Sequence, residues 1–130
     1  MRYGLVGLGA LATLSLIHLG RSSSFSCGEL CRYAMGVLPN LAAAIAIPFV
    51  LLSIWADQKQ EASYQAARRV FILVSLAAGV ALIGWEFVQQ SSRALVYDVH
   101  DIGATLVGLG LGGLLFILVT PRFRLPRKPP

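Results

Sequence analysis

Long apolar stretches alternate with short polar ones along this chain. Residues 3–19, 37–55, 70–88 and 102–120 are blocks of 17 to 19 residues with almost no charge. At about 1.5 Å per residue, a helix of that length roughly matches the ~30 Å hydrocarbon core of a bilayer. Lipid offers no partner to backbone N–H and C=O groups, so such blocks must satisfy themselves as helices. The pattern predicts an all-α integral membrane four-helix bundle, with helices at about 3–19, 37–55, 70–90 and 101–120. Residues 1–120 form a single transmembrane domain, and 121–130 (PRFRLPRKPP) form a basic, proline-rich tail suited to disorder or to anionic headgroups.

Individual residues refine this. The first block has the layout of a signal peptide: Arg2, an apolar run, then the serines at 22–24. It is read here as a retained helix, smoothed by Gly4, Gly7, Gly9, Ala10 and Ala12 for close approach to a neighbour. His18 near its end reads as an interface residue. Residues 20–36 read as a polar loop, with Glu29 and Tyr33 along the interface and Arg32 snorkelling. Pro39 suits the first turn of the second helix, and Pro48 predicts a kink further on. Trp55 and Trp85 mark interfaces. The connection at 56–69, with Asp57, Lys59, Glu61, Arg68 and Arg69, reads as a solvated face.

Composition agrees with a membrane class: 56% hydrophobic and 13% charged, where a soluble domain would carry about 25% charged. The net charge of +5 does not indicate nucleic acid, because every Lys and Arg lies outside the apolar blocks. Their distribution sets topology instead. Four spans put both termini on one side together with Lys59, Arg68 and Arg69, for eight positive residues against three (Arg21, Arg32, Arg93) on the other. The positive side is cytoplasmic. Both termini are therefore expected inside, and the 20–36 and 91–99 connections outside, in a multi-pass protein of a bacterial cytoplasmic (inner) membrane.

The outer connections carry the candidate chemistry. Glu86, Gln89, Arg93, Asp98, His100 and Asp101 gather at one boundary because the third and fourth helices form a hairpin. Glu86 and Gln89 share a helical face. Three carboxylates against Arg93 leave an excess of negative charge that calls for protonation, water or a bound cation. An alternative account of the aspartates is local: Asp98 and Asp101 fit the N-cap and N3 positions of the fourth helix. Gly108 and Gly112, spaced G-x-x-x-G, are a helix-packing signal. Cys27 and Cys31 are spaced C-x-x-x-C, unlike a redox or zinc pair, so no metal site is expected. A disulfide is permissible on an oxidising face, provided a turn replaces regular helix between them.

The run Glu86, Gln89, Arg93, Asp98, Asp101, Gly108, Gly112 resembles the VanZ-like family of small membrane proteins. Its pattern is a Glu, a Gln three on, an Arg, a D-x-x-D pair, an Asn four on, and two glycines; Thr105 stands here where that Asn is usual. The segment VLPNLAAAIAIPF also looks like the second helix of some relatives. The resemblance implies a fold with an outward-facing polar site, and a link to glycopeptide-antibiotic resistance or envelope functions.

Two functions are expected. One is a non-catalytic accessory or structural subunit whose smooth first and fourth helices pack against other membrane-protein subunits in a larger complex, for example a respiratory or photosynthetic one. The other is a VanZ-like protein binding a lipid-linked or cationic ligand at the outer acidic site. Enzymatic work is the weaker expectation, since no nucleophile triad, metal-ligand set or phosphate loop is present, and no cofactor is called for. A transport site is also disfavoured, because no charge lies in the middle of a block.

Overall fold

The computed structural model describes residues 2–23, 28–59, 63–90 and 98–120. They form four helices: α1 (Arg2–Ser22), α2 (Glu29–Gln58), α3 (Tyr64–Gln90) and α4 (Val99–Val119). Each is long and apolar enough to cross a membrane. The basic tail at 121–130 lies outside the described residues.

All four helices are longer than the apolar blocks that mark them, α2 and α3 by the most. α2, of 30 residues, begins eight residues before the block at 37–55, so Glu29 and Tyr33 belong to its first turns rather than to a loop, and Tyr33 stays 52% exposed there. α3 starts at Tyr64, inside the connection expected to be solvated. Apolar patterning measures the thickness of hydrocarbon to be crossed, whereas a helix continues until a residue stops it. The N-cap Gly28 has an extended backbone, with φ −60° and ψ 173°. Glu29 follows in the first turn, where a carboxylate meets the positive end of the helix dipole. Pro39 consequently sits three turns into α2, not in its first turn, and α2 runs through both Pro39 and Pro48. Each proline removes one N–H, leaving the carbonyls of Met35 and Ala44 without their usual i+4 donors.

α2 is the centre of the assembly and packs against all three other helices. Its burial shows this directly. Ala42, Ala44, Ala46 and Pro48 are buried at every second residue. Positions two apart lie about 200° apart around a helix, so α2 is covered on opposite sides, and alanine allows both neighbours close. α1 runs antiparallel to α2: Gly4 faces Ser53, Gly7 faces Val50 and Gly20 faces Met35. α4 runs parallel to α2, with Gly108 against Leu41 and Ala44, and Gly112 near Ile45 and Phe49. α3 completes a three-helix core, with Gly79 against Leu109.

The two ends of the bundle differ chemically. One end holds an aromatic cluster in which Phe71 and Phe116 stack at 4.5 Å, joined by Tyr3, Phe49 and Tyr64. The Tyr3 hydroxyl donates to Thr120 Oγ1 at 3.2 Å, tying the start of α1 to the end of α4. The other end carries the polar residues described next.

Candidate functional site: a polar cleft at one end of the bundle

Glu86 occupies the last full turn of α3. Its neighbours Trp85, Phe87 and Val88 are all more than half exposed, while Glu86 is 2% exposed. The helix therefore turns one carboxylate inward at the level where α2 and α4 come together. Oε1 of that carboxylate is held twice: Gln89 Nε2 donates at 3.1 Å and Asn40 Nδ2, from α2, at 3.4 Å. Oε2 is buried and has no hydrogen-bond partner among the described residues.

The D-x-x-D pair divides into two roles. Asp98 is the N-cap of α4, and its Oδ1 accepts from the His100 backbone N–H at 2.8 Å. That bond, with the His100 ring Nδ1 at 2.7 Å from the same oxygen, holds the Asp98 carboxyl below its ordinary value of 3.8. Asp101, at N3, is partly buried, and its Oδ1 is enclosed without a partner among the described residues. Capping thus accounts for Asp98 but leaves Asp101 unexplained. Asp101 lies close enough to Asn40 and Arg21 to interact with both.

These groups line a cleft of about 380 Å³ formed by Arg21, Gly36, Pro39, Asn40, Trp85, Glu86, Gln89, Asp98 and Asp101. All four helices contribute. Of the sequence candidates, Glu86, Gln89, Asp98 and Asp101 come together here. His100 does not: its ring is exposed, bound to Asp98 and set edge-on to Tyr33 at 5.4 Å. Arg93 lies outside the described residues, as does Cys27. Cys31, in the first turn of α2, is disulfide-bonded. Gly108 and Gly112 are buried against α2 within this chain.

Asn40 and Arg21 were not singled out from the sequence. Asn40 had a signal, as the one carboxamide in the apolar block at 37–55. Arg21 entered only the charge count, because nothing local links the end of α1 to Asp101. Thr105, where the VanZ-like pattern has Asn, is buried and donates back to the Asp101 carbonyl at 2.9 Å. The amide at the cleft comes from α2 instead.

Among the described residues no three His, Cys, Asp or Glu side chains group closely enough to hold a metal ion. Two carboxylate oxygens from different helices are without partners among the described residues, beside the Asn40 and Gln89 amides. Comparison with family models, with curated proteins and with solved structures finds no match.

Proposed function

We propose that this chain is a non-catalytic multi-pass membrane protein that holds a positively charged group in the cleft built around Glu86. The observation that carries the reading is the state of Glu86, 2% exposed with Oε2 unpartnered at a cleft that Asp101 also lines. A buried ionised carboxylate is costly unless paired, and Asn40 and Gln89 satisfy one oxygen only. An ammonium bridging Glu86 Oε2 and Asp101 Oδ1 supplies a partner that the described residues do not.

In this reading both termini are cytoplasmic, the cleft opens at the outer boundary of a bacterial inner membrane, and the disulfide of Cys31 sits on the oxidising side. The VanZ-like resemblance points to the same place, since its pattern residues Glu86, Gln89, Asp98 and Asp101 all reach the cleft. The accessory-subunit reading relied on glycine-smooth faces of α1 and α4. Gly4, Gly7, Gly108 and Gly112 face α2 within the chain, while Gly9, Gly103, Gly110 and Gly113 meet nothing within 4 Å among the described residues and stay open to an outside partner.

The test uses the purified full chain in detergent with dodecylammonium as probe and dodecanol as its uncharged control. Hydrogen bonds to charged groups contribute about 1.5–3 kcal/mol, so Glu86→Gln should weaken dodecylammonium binding about tenfold or more. Asp101→Asn should act in the same direction. Amine binding that is equal in wild type and both variants, with unfolding midpoints unchanged, would overturn the reading.

A further inference from the structure

The cleft is not uniformly acidic. Arg21 lines it alongside Glu86 and Asp101, and makes no ion pair among the described residues. Asp98 is committed to its cap, and Glu86 Oε1 to Asn40 and Gln89. Glu86 and Asp101 each keep one enclosed carboxylate oxygen without a partner among the described residues, and Arg21 lines the same cleft. A simple amine would pair with the carboxylates but bring a positive charge towards Arg21. A simple phosphate would pair with Arg21 but meet two carboxylates. A molecule carrying both charges satisfies both sets, with an ammonium on Glu86 and Asp101 and an anionic group on the guanidinium fork.

From this juxtaposition we infer that the cleft recognises a phosphoethanolamine group, its primary ammonium held between Glu86 Oε2 and Asp101 Oδ1 and its phosphate by Arg21. The inference rests on the proposed function and narrows it. The ammonium must retain its hydrogens, because each carboxylate oxygen takes one N–H. Quaternary ammonium groups are recognised by aromatic cages, and Trp85 is the one aromatic residue among the described residues lining the cleft. The volume of about 380 Å³ lies at the low end of small-molecule sites, enough for a headgroup and not for acyl chains. Trp85, 57% exposed at the rim, suits a membrane–water interface, where phospholipid headgroups lie.

The experiment is native mass spectrometry of the full-length protein released from detergent with phosphatidylethanolamine, phosphatidylcholine or phosphatidylglycerol of identical acyl chains. Phosphatidylethanolamine should bind about tenfold more tightly than either competitor, the expected effect of one charge-assisted pair. Glu86→Gln should abolish the preference. Arg21→Gln should remove it too, while dodecylammonium, which no longer meets the guanidinium charge, should bind more tightly than to wild type. Soluble phosphoethanolamine is then added as competitor. Displacement of the lipid assigns recognition to the headgroup alone, and persistence assigns it to the tethered lipid, both supporting the ammonium–phosphate chemistry. Equal binding of the three lipids, or a preference unchanged in Arg21→Gln, overturns the inference. If dodecylammonium binding still depends on Glu86 in that event, the broader function stands; if it does not, both fall.

Discussion

The Asn40 side chain on α2 donates to Oε1 of Glu86 on α3 at 3.4 Å, across 46 residues of sequence. This bond joins the two helices at the level of the cleft. Removing one partner of a buried pair leaves the other with a desolvation cost, whereas removing both is nearly neutral. Asn40→Leu should therefore lower stability by about 1–3 kcal/mol. The double variant Asn40→Leu with Glu86→Leu should recover much of the loss. Reversible unfolding in mixed micelles measures both. A double variant no more stable than Asn40→Leu would show that the buried carboxylate is not the source of the cost.

The two glycines of the G-x-x-x-G spacing are not equivalent. A Cβ at position 108 would lie 2.6 Å from the Leu41 carbonyl oxygen and 2.8 Å from Ala44 Cβ, whereas at 112 its nearest contact is 3.9 Å. Leu41 oxygen is backbone and cannot move aside as a flexible side chain can. Gly108→Ala should destabilise by about 1–3 kcal/mol through overpacking, while Gly112→Ala should change stability by less than about 0.5 kcal/mol. Thermal aggregation in detergent compares them. Equal losses would contradict this register between α2 and α4.

Asp98 and Asp101 should separate on substitution. Asp98→Ala removes the bond to the His100 N–H and should lower stability by about 1 kcal/mol, while Asp98→Asn, still a good N-cap, should lose only a few tenths. Because the folded state depresses the Asp98 carboxyl, its contribution is fully present above its ordinary value of 3.8 and fades as pH falls through the depressed one. Asp98→Ala should thus show a shallower loss of stability on acidification below about pH 4 than wild type. Asp101→Asn should keep the capping bond from the His100 N–H to Asp98 and affect ligand binding instead.

At the far end of the bundle, the Tyr3 hydroxyl bridges to Thr120, and its ring lies 6.2 Å from Phe116 and 6.4 Å from Phe49. Tyr3→Phe should lose about 0.5–1.5 kcal/mol for the hydrogen bond. Tyr3→Ala should lose a further 1–2 kcal/mol or so with the ring contacts. Hydrogen exchange across α1 should rise in Tyr3→Ala and little in Tyr3→Phe. Identical exchange in the two would mean that the ring does not anchor the start of α1.

The number and class of helices were legible in the sequence because hydrophobic blocks of membrane length have one structural solution. Their ends were less so. Block 37–55 marked what lipid would surround, and said nothing of the eight further residues by which α2 extends from Glu29. The acidic hairpin was legible because Glu86, Gln89, Asp98 and Asp101 lie within sixteen residues of one another on adjoining helix ends. The sequence placed Asp98 at the N-cap and Asp101 at N3, but only the packing of α2 and α3 against α4 decided that Asp101 is partly buried in the cleft.

The sequence by itself determined four apolar helices, a charge asymmetry between their ends, and carboxylates at one of those ends. The tertiary structure decided which groups meet: α2 at the centre brings Asn40 to Glu86, and the return of α1 brings Arg21 beside Asp101. The physical reason is range. Hydropathy and capping act over a turn or a span and are written locally, whereas pairing between distant helices depends on how Gly7, Gly108 and the alanines of α2 let the backbones approach, and no local pattern states which helix each of them faces.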